Sequence, residues 1–174
     1  GTAHGFASDA RREDAVIELV TAIERDIGPV EAAVFNVGGN VRYGITETTE
    51  QVYRKVWEMG CLAGFLVGRE VARVMRPRGR GTIVFTGATA SLRGGAGFAA
   101  FASAKHGLRA LAQSMARELM PQGIHVANVP IDAAIGWTQE DGSRAHRLAG
   151  TAVDDNLADP DCIAELYLQL HRQH

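Results

Sequence analysis

Residues 81–105 read GTIVFTGATASLRGGAGFAAFASAK, and the fold is decided there. Thr82-Ile83-Val84-Phe85-Thr86 is short, β-branched and apolar, the composition of a strand buried in a parallel sheet. A glycine-bearing loop follows, with Gly87, Gly94, Gly95 and Gly97, and a helix opens near Phe98. Phe101, Leu108, Leu111, Met115 and Leu119 fall on one side of that helix, alanine fills out its length, and Pro121-Gln122-Gly123 closes it. A second apolar strand, 124–129, comes next. Strand, crossover helix and strand make a βαβ unit, whose strands run parallel and whose connection is right-handed.

The alternation continues outward. Residues 49–75 carry Val52, Val56, Met59, Leu62, Ala63, Leu66, Val67, Val71 and Val74 at helical spacing, with Thr48 or Thr49 as N-cap. Arg76-Pro77-Arg78-Gly79-Arg80-Gly81 ends this long helix and reads as a solvated exit. Before it, 30–36 is another buried-strand run, turned by Val37-Gly38-Gly39-Asn40. Val16, Ile17, Val20, Ile23 and Ile27 mark an amphipathic helix over 15–27, stopped by Gly28-Pro29. Residues 131–158 lack periodicity, so an irregular functional excursion with room for one short helix is expected there. Asp159-Pro160-Asp161 then supplies an N-cap, a first-position proline and a first-turn acid for a helix bearing Ile163, Leu166, Tyr167 and Leu170. The expectation is one α/β domain, a Rossmann-like parallel sheet with helices on both faces.

Composition narrows the function classes. Eighteen Lys and Arg against 20 Asp and Glu give a net charge of −2, which offers no electrostatic reason for nucleic acid or an anionic membrane surface. A small, weakly charged partner is expected instead. Cys61 and Cys162 stand far apart without metal-ligand spacing and read as reduced thiols of a cytoplasmic protein. The apolar run 61–67 falls short of the roughly 20 residues a membrane span needs, and the N-terminus has no signal-peptide pattern.

In order and spacing these segments resemble the short-chain dehydrogenase/reductase family of NAD(P)-dependent oxidoreductases. Asn36-Val37-Gly38-Gly39 is similar to the family's Asn-Asn-Ala-Gly turn, and Asp9 lies where the family places an acid beside the adenine. Phe101-Ala102-Ser103-Ala104-Lys105 stands in the place of Tyr-x-x-x-Lys, and 124–129 resembles the strand before the family's Pro-Gly pair, here Ile131-Asp132. The resemblance implies NAD or NADP as cofactor, hydride transfer between a carbonyl and an alcohol, a small-molecule substrate, and a homo-oligomer, dimer or tetramer. It implies cofactor contacts from Asp9, Asn36, Gly38, Gly39 and Lys105.

The departures are as informative as the matches. In the family a tyrosine moves the proton, a lysine lowers its pKa and holds the ribose, a serine orients the carbonyl and an asparagine supports a relay. Lys105 alone of that set is present: Phe101, Ala88 and Cys61 occupy the Tyr, Ser and Asn positions. A phenyl ring has no proton to exchange, so weak activity is expected, and a catalytically silent binding or assembly module is the alternative. By the same resemblance, residues 1–8 cover the end of the family's third strand. The Thr-Gly-x-x-x-Gly-x-Gly phosphate loop, within about 60 residues of a usual domain, and the last strand are then expected to lie outside the 174 residues.

Other motifs have plainer readings. Gly95-Ala96-Gly97-Phe98-Ala99-Ala100 matches G-x-G-x-x-A, but Gly95 lies nine positions after Thr86, too far from its strand for a dinucleotide fingerprint. Thr89 and Ser91 could lend a substrate hydroxyl, though turn hydrogen bonds are the commoner use. Cys61 reads as a small buried hydrophobe. His106 reads as a surface residue, His171 and His174 as a fraying terminus, and Asp154 and Asp155 as a solvated loop; no metal site is expected.

Overall fold

The computed structural model describes residues 1–138, 144–145 and 157–173. They fall into two compact units, Gly1–Pro130 and Ile131–His174. The first holds helices α1 (Glu13–Asp26), α2 (Glu50–Trp57), α3 (Ala63–Met75) and α4 (Ala99–Leu119), with strands β1 (Ala32–Phe35), β2 (Gly81–Ala88) and β3 (Ile124–Ile131). These bounds follow the spacing of the apolar residues closely. The sheet order is β1-β2-β3, with β1 parallel to β2 and Phe35 level with Phe85.

That register puts both phenylalanines on one face of the sheet, their ring centres 6.1 Å apart. Helices α3 and α4 pack there, with Ala63, Leu66, Met75, Leu108 and Ala112 buried against Phe35 and Phe85. Gly64 permits the approach: a Cβ on it would overlap Leu108 and stand 3.3 Å from the Phe35 ring. Val16 and Val20 of α1 join the same core, while Val34, on the other face of β1, is 47% exposed.

The helix expected over 49–75 is not uniform. Thr49 caps α2 by accepting from the Val52 amide, but Glu58–Leu62 forms a π-helical turn before α3. The Ala63 amide there reaches the Glu58 carbonyl, five residues back. Apolar spacing cannot reveal this, because one extra residue per turn shifts the stripe by less than its width.

The basic stretch after α3 also departs from a solvated exit. The Arg78 guanidinium donates to the Glu24 carboxylate at 2.8 Å and to the Val30 carbonyl at 2.9 Å, and Glu24 accepts from the Val30 amide at 2.7 Å. This ties the end of α1 to the entry of β1.

In the second unit, Asp159 caps α5 (Pro160–Arg172) by accepting from the Asp161 amide, as the sequence predicts. The irregular excursion expected over 131–158 instead contains short strands. β4 (Ala134–Ile135) pairs in parallel with β7 (Leu157–Ala158), and β5 (Trp137–Thr138) pairs antiparallel with β6 (Arg144–Ala145). Two-residue strands show no alternation, and the partners of the β4–β7 pair lie more than 20 positions apart, so local pattern could not find them. Asp154 and Asp155 lie outside the described residues. No described helix is long and apolar enough to cross a membrane.

Candidate active site

The site is built where the C-terminal ends of β1 and β2 meet the first turns of α4. Lys105 sits one helical turn after Phe101, so both side chains leave the same face of α4. Lys105 is 5% exposed, and its Nζ donates to the Thr86 carbonyl at 2.8 Å. Burial holds its pKa below the ordinary lysine range. No carboxylate among the described residues pairs with it; the Phe101 ring centre lies 5.9 Å away, the outer range of a cation–π contact.

The turn after β1 closes over the lysine. A Cβ on Gly38 would stand 3.4 Å from Lys105 Nζ, and one on Gly39 would stand 3.5 Å from the Met59 methyl. The turn Gly38-Gly39 thus runs between the lysine and the π-helical turn, close enough that a Cβ at either position would be in van der Waals contact with its neighbour. Asn36, two residues earlier, is exposed at the end of β1.

Apolar packing surrounds two of the sequence-predicted site residues. Phe101 and Cys61 pack against the same buried group, Val56, Ala100 and Ala104. Cys61 is half-buried and burial pushes its thiol pKa up, which keeps it protonated and unreactive. Ala88 ends β2, and its amide donates to Ser91 Oγ at 3.1 Å. Ser91 is fully buried, so its hydroxyl serves that turn and is not presented to a substrate.

Asp9 does not join this group through any direct contact. It accepts from the Arg11 side chain at 2.9 and 2.7 Å and from the Arg11 amide at 3.0 Å, which lowers its pKa to about 2. His106 is exposed and its Nδ1 bonds the Ala102 carbonyl at 2.9 Å. No cluster of three or more His, Cys, Asp or Glu suited to a metal occurs among the described residues.

Two residues escaped the sequence reading. Asn128 on β3 donates to the Phe85 carbonyl at 3.2 Å, while its buried Oδ1 has no partner and faces Gly87. An amide inside the apolar run 124–129 was the available signal. Arg42 stands beside the Gly97 backbone, with its guanidinium 5.7 Å from the centre of the Phe98 ring. Nothing in its local sequence marked it.

The arrangement therefore offers a buried cation under a glycine turn, an exposed asparagine beside it, and an apolar wall where a proton donor would be needed. The family model for short chain dehydrogenase matches residues 1–135. The chain is 34% identical to the gluconate 5-dehydrogenase of Gluconobacter oxydans over 118 residues, 68% of this chain and 46% of the relative. It is 64% identical to a short-chain dehydrogenase crystal structure from Rhodopseudomonas palustris, with a TM-score of 0.69, over 71% of this chain and 58% of that one. The crystal structure of an NAD+-bound xylitol dehydrogenase is 27% identical with a TM-score of 0.69, over 71% of this chain and 48% of that one. The chain thus spans about half the length of such relatives.

Proposed function

Because the chain belongs to the short-chain dehydrogenase family, we propose that the intact protein binds a nicotinamide dinucleotide and carries out weak hydride transfer between a small carbonyl compound and its alcohol. The observation that carries this is the buried Lys105, held by Thr86 under Gly38 with no carboxylate among the described residues to neutralise it. A desolvated ammonium at that position gains a great deal from ribose hydroxyls as acceptors. When bound, the cofactor supplies or takes the hydride.

The remaining roles fall to this chain's own residues. Lys105 would hold the ribose, Gly38 and Gly39 would let the cofactor approach the backbone, Asn36 would offer its amide from the end of β1, and Asp9 would line the adenine side. Phe101 and Ala88 move no proton, so water or the substrate itself must provide it. Loss of a positioned acid or base costs about 10²–10⁴ in rate. Pairing through copies of the α3 and α4 faces, as a dimer or tetramer, fits this reading.

One observation favours a second reading, a catalytically silent binding module. Phe101 and Cys61 sit in a single apolar cluster, so the replaced positions support one another as packing rather than as a damaged relay. The readings part on ligand binding followed by turnover. Calorimetric titration of the full-length protein with NAD(H) and NADP(H) should give saturable binding that Lys105→Ala weakens by about tenfold or more. Absence of binding to every nucleotide form would reject the dehydrogenase reading and leave the module.

A further inference from the structure

Arg42 borders the site and the proposed chemistry does not use it. Val41 packs against Val56, Ala100 and Ala104 beside Phe101, which fixes the chain direction at the site's edge. The Tyr43 amide then donates to the Gly97 carbonyl at 2.9 Å, stitching this loop to the one that leads into α4. Gly97, at φ +84, brings its backbone against the Arg42 stem: a Cβ there would stand 3.0 Å from Arg42 Cγ. The guanidinium is left over the Phe98 ring, three residues before Phe101.

Its partners are informative by what they are. Arginines elsewhere in the described residues commonly pair with carboxylates, such as Arg11 with Asp9 and Arg80 with Glu31. Among the described residues Arg42 forms no such pair, and Glu47, the acid of its own loop, accepts from the Gly44 amide at 3.3 Å. Arg42 is exposed, and the Phe98 ring lies at the outer range of a cation–π contact, beside the guanidinium without occupying its N–H donors. A planar fork placed this way suits two-point binding of an oxyanion. The net charge of −2 does not oppose this, since the cation is local.

We propose that Arg42 recognises an anionic group, a carboxylate or a phosphate, on the small molecule that enters the Phe101–Lys105 site. The proposal rests on the reading of that site as one for a small carbonyl or alcohol. It places the charged end of the ligand at the rim beside Phe98 and the reacting carbon inward, toward Phe101.

The test is binding of size-matched pairs to the full-length protein, read by calorimetry or ligand-observed NMR. One pair is a short 3-oxo carboxylate and its methyl ester; the other is dihydroxyacetone phosphate and dihydroxyacetone. Wild type should prefer the anion of at least one pair by about three- to tenfold, and the pair that responds identifies carboxylate or phosphate. The preference should vanish in Arg42→Ala, return in part in Arg42→Lys and decline with salt. Equal affinity within both pairs, an unchanged preference in Arg42→Ala, or no binding of any probe would overturn the proposal. Cofactor titrations run alongside keep the two ideas apart: an Arg42-dependent preference without nucleotide binding upholds this proposal and rejects the dehydrogenase reading.

Discussion

Lys105 Nζ donates to the main-chain oxygen of Thr86 at 2.8 Å, from a position only 5% exposed, so a cation of α4 is fixed to the end of β2. No carboxylate among the described residues pairs with it, and its burial has a thermodynamic signature. Burial depresses the lysine pKa in the folded state, so between that value and the unfolded one of about 10.4 the unfolded chain binds more protons. The burial penalty is fully present at low pH and is relieved as pH rises through this window. Urea denaturation of wild type and Lys105→Met should therefore show the variant's relative stability falling as pH rises from 7 toward 10. A difference independent of pH would mean that Lys105 is no less basic when folded.

The Glu24–Arg78 pair gives stability that also rises with pH, but here because the charged form is favoured by the fold. Burial works to raise the Glu24 pKa, but hydrogen bonds from Arg78 and the Val30 amide outweigh it and the net shift is downward. Its contribution is thus present above the ordinary carboxylate range and lost as pH falls through the lowered value. Glu24→Gln should cost about 1–3 kcal/mol at pH 7, with the gap to wild type closing in acid. Equilibrium unfolding at pH 7 and pH 4 checks both parts.

Gly64 sets the distance between α3 and α4. Gly64→Ala places a methyl group into Leu108 and against Phe35, and should destabilise by about 1–3 kcal/mol through overpacking. Gly94→Ala is the control, since a Cβ there meets nothing within 4 Å. Thermal melts of the two variants should differ clearly, with Gly94→Ala close to wild type.

The helices and the three main strands were legible because each is long enough to show its period, as 99–119 does with its leucines and 81–88 with its β-branched run. The π-helical turn at Glu58–Leu62 was not, because Met59 and Leu62 keep the apolar stripe either way. At the site, Lys105, Phe101 and Cys61 were placed by their motif positions, and the fold brings them and Gly38 together. Ser91's burial beneath Ala88 and the pairing of Arg78 with Glu24 depend on contacts between distant segments. A sequence displays residue types at those positions, not the neighbours that decide their use. Arg42 is the sharpest case, since its role follows from Gly97 and Phe98, more than 50 positions away.

The central claim is that this site keeps the cofactor-holding lysine and lacks the proton donor. It is tested most directly by steady-state turnover of the full-length protein and its Phe101→Tyr variant, at saturating NADH or NADPH with a panel of small ketones and keto acids. A tyrosine there would stand one turn from Lys105, which can lower its pKa. The expected result is a rise of about 10²-fold or more in kcat for at least one substrate, with nucleotide affinity unchanged. Turnover equal in the two forms would contradict it, whether both are fast, which would place the proton donor elsewhere, or both are silent, which would leave a binding module.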